Sequence, residues 1–225
     1  MNQMLNSRDT RNTKNTKRIT EIVWDVDSQN DFINPKGSLV VPGAYEMKQN
    51  FADALQYFKA KGTPILGSVD AHTGPELIPG TEDQYFPLHC IKGTWGQLKI
   101  PETLQGVGLY DILFVSDNKY TPAALDMIAD EAKNGKRLYF EKQGIALAEN
   151  PNAAELFARL GVKKAYLMGV ATNICVEAAD AYFRDLGIQT YIVESAVKGM
   201  QLENGDTGKK SIERMLNGGT KIYRI

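Results

Sequence analysis

Histidine, cysteine and tryptophan are scarce in this chain, two of each among 225 residues. So few thiols exclude a disulfide-dense secreted scaffold. Cys90 and Cys175 allow either one bridge or two free thiols in a reducing compartment. No run approaches the ~20 apolar residues that a membrane span requires, and the opening residues have no apolar signal-peptide core, so a cytoplasmic location is expected. An excess of one charge is also missing. Lys and Arg number 26 against 27 for Asp and Glu, and a net charge of −1 gives nucleic acid or an anionic membrane no electrostatic hold. The expected partner is a small-molecule substrate, with homo-oligomerisation left open.

What is present is an apolar content of 43%, enough for a substantial core in one domain over residues 19–225. Residues 1–18 are polar, basic and almost free of apolar side chains, a composition expected to form a mobile tail. Those few apolar residues form no amphipathic stripe, which argues against a transit peptide. Short β-branched and aromatic runs at 22–26, 64–69, 112–115, 138–140, 165–170 and 190–193 predict buried strands. Helical patterns at 44–61, 123–134, 153–160 and 176–186 lie between them and end near Gly62, Gly135, Gly161 and Gly187. Such alternation predicts an α/β fold: a three-layer, doubly wound, mainly parallel sheet with helices on both faces. Ligands then gather beyond the carboxyl ends of the strands.

Four strand ends carry chemistry. Asp25, Asp27 and Asp31, with Gln29 and Asn30, crowd the first; the plain reading is a solvated turn, the functional one a general base. The second ends in Asp70-Ala71-His72, and a later segment runs from Glu82 to His89. These hold both histidines of the chain beside acids, the donor types of a divalent metal site that selects weakly among zinc, iron(II) and manganese. Glu76 and Asp83 compete with Glu82 on spacing alone. Lys142 follows the fourth strand and Lys119 the third, equally placed on this basis. Cys175 follows a strand and a turn of small residues where a helix should begin. There, unpaired N–H groups and the helix dipole favour a thiolate and offer an oxyanion hole. The plain alternative is a buried, inert thiol.

Together these segments resemble the isochorismatase-like cysteine hydrolases, and within them the nicotinamidases (pyrazinamidases), over about residues 20–197. The likeness rests on Asp27 with Gln29-Asn30-Asp31-Phe32, on Asp70-x-His72, on Phe86-Pro87-Leu88-His89-Cys90, and on Gly169-Val170-Ala171-Thr172-Asn173-Ile174-Cys175-Val176. It implies a catalytic triad of Asp27, Lys142 and Cys175, with Lys142 preferred to Lys119 for its spacing of 33 residues from the cysteine (175 − 142). It further implies metal ligands at Asp70, His72, Glu82 and His89, and an oxyanion hole at Ala171 and Cys175 with a cis bond between Val170 and Ala171. Phe32 and Phe86 would sandwich a substrate ring. The implied cofactor is one divalent ion, zinc before iron or manganese, and the implied reaction is deamidation of nicotinamide in NAD salvage. Cys90 is expected to pack rather than to ligate.

Three features depart from the family pattern: Ala71 replaces an aromatic residue, Gly144-Ile145-Ala146-Leu147 stands for a more aromatic run, and residues 100–135 are longer than usual. A metal-free relative acting on another small amide, ureido compound or vinyl ether, and a non-catalytic binding protein, are the alternative readings.

Overall fold

A computed structural model describes residues 18–73, 86–202 and 205–225. Apart from Arg18, the polar tail lies outside the described residues, and so do Glu76, Glu82 and Asp83. Seven strands form one sheet: β1 (Glu21–Val26), β2 (Ile65–Asp70), β3 (Ile112–Val115), β4 (Arg137–Lys142), β5 (Lys164–Val170), β6 (Gln189–Lys198) and β7 (Lys221–Tyr223). Their order is β3-β4-β2-β1-β5-β6-β7, and every pairing is parallel. The helices are α1 (Asn30–Ile33), α2 (Lys48–Ala60), α3 (Pro122–Lys133), α4 (Ala153–Leu160), α5 (Glu177–Asp185) and α6 (Lys209–Asn217).

Side-chain alternation along β1 divides the interior in two. Ile22, Trp24 and Val26 face one core with Leu125 of α3, Phe157 of α4 and Phe183 of α5. Val23 faces the other, with Phe32 of α1 and Phe51 and Phe58 of α2. Trp24 is ringed by Phe140, Phe157 and Phe183 at centroid distances of 5.4, 5.5 and 5.2 Å. The three expected layers are therefore present.

Local chemistry explains the helix ends. The Thr121 hydroxyl accepts the N–H of Ala124 at 3.3 Å and Pro122 opens α3, so an orphan donor is satisfied where proline costs nothing. Gly161 closes α4 in the left-handed region at φ 84°. The pattern read over 44–61 resolves into a 3-10 turn (Tyr45–Met47) and then α2. α6 and β7 were not among the expected elements. β7 is only three residues long and half exposed, too short for a periodic signal.

β1 passes to β2 on one side, whereas β5 passes to β6 on the other, so the winding reverses between the neighbours β1 and β5. A crevice forms beyond their carboxyl ends at such a reversal. Register aligns the strand ends around it: Val26 lies beside Gly169, and Asp70 beside Lys142.

Candidate active site

The residue after β1, Asp27, has φ 41°, a left-handed conformation that aspartate tolerates better than most residues but that still costs about 1 kcal/mol. It breaks the strand alternation. The carboxylate is fully buried, and its Oδ2 lies 3.0 Å from Nζ of Lys142. Lys142 ends β4, is 1% exposed, and also donates to Gly144 O at 2.9 Å, to the Asp70 carboxylate, and to Cys175 Sγ at 3.7 Å. One buried ammonium thus bridges two buried carboxylates and a thiol. Oxygen and sulfur atoms of Asp27, Asp70 and Cys175 lie within 4.8 Å of one another. Burial pushes the Asp27 carboxyl above its usual range; Lys142 pulls part of the way back and Asp70 opposes that pull. For Asp70 burial also raises, but the Lys142 ammonium and His89 outweigh it and hold that carboxyl low.

Cys175 lies in a π-helical turn, Thr172–Val176, and not at the first residue of α5. Ala171 O accepts both Ile174 N–H at 3.0 Å and Val176 N–H at 3.1 Å, which widens the turn ahead of the helix. The Val170–Ala171 bond is cis, as the family resemblance implies. Gly169, at φ 111°, passes so close to β1 that an added Cβ would stand 2.0 Å from Val26 O.

Asp70, His72 and His89 present one ligand atom each within 4.8 Å of one another, all buried. His89 Nε2 faces Asp70 Oδ2 at 3.6 Å, and the imidazole rings are 4.6 Å apart. His89 Nδ1 lies 2.8 Å from Pro87 O, which fixes the ring. Two nitrogens and a carboxylate on that scale fit a divalent ion, with positions left for water or ligand. The two histidine segments are joined by His72 N–H to Cys90 O at 3.2 Å and Lys92 N–H to His72 O at 2.8 Å.

Sequence reasoning missed the role of the residues between Asp27 and Phe32. The Gln29 amide clamps the backbone of Asp70, donating to its O and accepting from its N–H, each at 2.8 Å. Asp31 accepts from Cys90 N–H at 2.6 Å and Ser38 N–H at 3.0 Å. Cys90, with φ 47°, is thereby pinned beside His89, and its thiol packs in the core where burial pushes its pKa up. Asp25 is turned to a different partner, Lys99, at 3.0 Å. All three acids of that strand end are buried, so the solvated-turn reading fails. The crowded acids and amides were the only sequence signal of this bracing.

Lys119 is exposed and away from the cluster, so of the two lysines only Lys142 reaches the thiol. Cys90 and Cys175 are both buried and are not joined in a disulfide. Phe32 and Phe86 line a pocket with Asp70, His89, Ala171 and Cys175, and their rings lie 5.3 and 6.4 Å from the His89 ring. Glu82 lies outside the described residues. Among the described residues no helix is long and apolar enough to cross a membrane.

The fold is shared with solved pyrazinamidases and with an isochorismatase-like hydrolase. A family model described as Isochorismatase domain matches residues 116–222. Nicotinamidases and pyrazinamidases are among the proteins the chain resembles. A nicotinamidase of Saccharomyces cerevisiae is 25% identical over 197 aligned positions, covering 75% of this chain and 83% of that one. The crystal structure of a pyrazinamidase of Pyrococcus horikoshii in complex with zinc superposes with a TM-score of 0.68 at 24% identity, covering 91% of this chain and 99% of that one. The yeast nicotinamidase bound to the inhibitor nicotinaldehyde superposes with a TM-score of 0.67 at 16% identity, covering 92% and 100%.

Proposed function

We propose that this chain is a metal-dependent cysteine amidohydrolase that converts nicotinamide to nicotinate and ammonia, with Asp27, Lys142 and Cys175 as its triad. The observation that carries this reading is Lys142 Nζ, 3.0 Å from Asp27 Oδ2 and 3.7 Å from Cys175 Sγ. A buried base and a buried cation beside a thiol are what nucleophilic catalysis by cysteine needs.

In this mechanism Asp27 takes the thiol proton and the Lys142 ammonium stabilises the thiolate. The sulfur attacks the carboxamide carbon, and the resulting oxyanion is held by the N–H groups of Ala171 and Cys175. Asp27 protonates the departing nitrogen, so the C–N bond breaks, ammonia leaves and a thioester remains. Asp27 then deprotonates a water that attacks the thioester, releasing nicotinate and returning the thiol. Phe32 and Phe86 hold the aromatic ring in line with the sulfur, and this orientation removes much of the entropic barrier. Asp70, His72 and His89 would hold a divalent ion, with Glu82 proposed as a further ligand. Such an ion, zinc by preference, supplies Lewis acidity for fixing a heteroaromatic substrate. The remaining polar residues act on the ligands: Gln29 orients Asp70, and Asp31 orients the His89 segment.

Ammonia release from nicotinamide, compared between wild type and Cys175→Ala, tests the reading. Activity in the wild type and loss of at least about a thousandfold in the variant is the expected result, because the nucleophile acts as a unit with its partners. Full activity without Cys175 would overturn the mechanism. No ammonia from a wild type whose Cys175 still alkylates rapidly would leave a hydrolase of another small amide.

A further inference from the structure

At the other end of the sheet Arg137 opens β4, the strand that Lys142 closes. Five steps of about 3.3 Å separate them by ~16 Å. Arg137 is only 8% exposed, yet among the described residues no carboxylate lies within ion-pair distance of its guanidinium. Its Nη1 donates to Thr103 O at 2.8 Å and to the Tyr139 hydroxyl at 3.4 Å, both neutral acceptors. The buried acid Asp25 pairs with Lys99 at 3.0 Å rather than with Arg137. A buried charge is ordinarily matched by a counter-charge.

Arg137 lines a cavity of about 310 Å³ between the turns at Gly62, Gly106 and Gly135, and Lys59, Lys133 and Lys136 share its lining. Among the described residues Asp111 is the one acid in that lining, and its Oδ2 accepts the Gly108 N–H at 2.9 Å. Lys133 and Lys136 pair with Asp130 and Glu131, half-exposed surface acids at 3.2 and 2.8 Å, and such pairs are weak enough to yield to a dianion. Arginine suits phosphate because its planar fork of donors matches two oxygens at once.

We propose that this cavity is an anion-binding site for a phosphate group, carried by a small organic phosphate or by inorganic phosphate, with Arg137 as the buried anchor and Lys59, Lys133 and Lys136 at its mouth. The volume accommodates a phosphate monoester with an organic body. The site is remote from the thiol and stands independently of the proposed hydrolysis.

Calorimetric titration of the full chain with inorganic phosphate, with adenosine 5′-monophosphate and with adenosine tests it. Saturable binding of the monophosphate or of phosphate, with none of adenosine, is expected; whichever anion binds more tightly identifies the source. Arg137→Met should weaken binding by about tenfold or more. Should that variant fail to fold, Lys59→Ala/Lys136→Ala, which removes two surface cations and one weak surface ion pair, should still weaken binding several-fold with the melting temperature little changed. The absence of saturable binding by either anion, or binding that the lysine pair does not alter, would overturn the proposal.

Discussion

A single ammonium, Lys142, is the residue on which the charges of the site converge. Replacing it by methionine would leave Asp27 and Asp70 facing each other in a buried setting without their shared cation. Leaving a buried charge uncompensated typically costs about 3–5 kcal/mol, so Lys142→Met should both abolish ammonia release and lower the denaturation midpoint. Asp27 gives the pH dependence. Its pKa is raised, chiefly by burial, so the ionised base is lost on acidification sooner than an ordinary carboxylate would be. The acid limb of kcat/KM should therefore fall above the usual carboxylate range, and a limb at or below it would contradict this assignment of the base. Gln29 offers a test of bracing without chemistry. Gln29→Leu strips partners from the buried N–H and O of Asp70, and at about 1–3 kcal/mol for each unsatisfied group it should destabilise measurably in urea.

Among the elements, β5 and its following turn have the tightest demands. Gly169 passes Val26 O with no room for a side chain. Gly169→Ala should force β1 and β5 apart, displace Cys175 relative to Asp27, and cost activity out of proportion to the methyl added. Thermal unfolding and ammonia release on the same preparation would show this; an unchanged kcat would mean that the β1–β5 contact does not set the thiol's position. The aromatic cluster around Trp24 is a contrasting element: Trp24→Ala should cost about 3–5 kcal/mol of stability through the cavity it leaves.

For the whole molecule, a metal on Asp70, His72 and His89 would tie β2 to the segment carrying His89, two parts of the chain joined otherwise by a few hydrogen bonds. An ion that binds only the folded state adds stability by mass action. Chelation should lower the melting temperature and abolish ammonia release together, and added zinc should restore both. Activity that survives chelation would argue for a metal-free reaction.

Much of this was legible in the sequence. Apolar runs with β-branched residues, glycines at helix ends and regular alternation determined the α/β class and six of the seven strands, because burial on both faces leaves a strong local signal. The residue types at the strand ends marked Asp27, Asp70, His72, His89, Lys142 and Cys175 as candidates, since few structural needs place so many ionisable groups there. Position at a strand end did not by itself choose between Lys142 and Lys119, nor tell Asp27 from Asp25 and Asp31; only the family resemblance preferred Asp27, and Lys142 with its spacing of 33 residues to Cys175. Strand order and register made those choices: β4 lies beside β2, so Lys142 meets Asp70, while β3 at the sheet edge leaves Lys119 exposed. A left-handed residue at the end of β1 and the close approach of Gly169 are likewise tertiary, because they depend on neighbours far away in the chain. Local pattern reports which groups must be buried; only packing decides which of them meet.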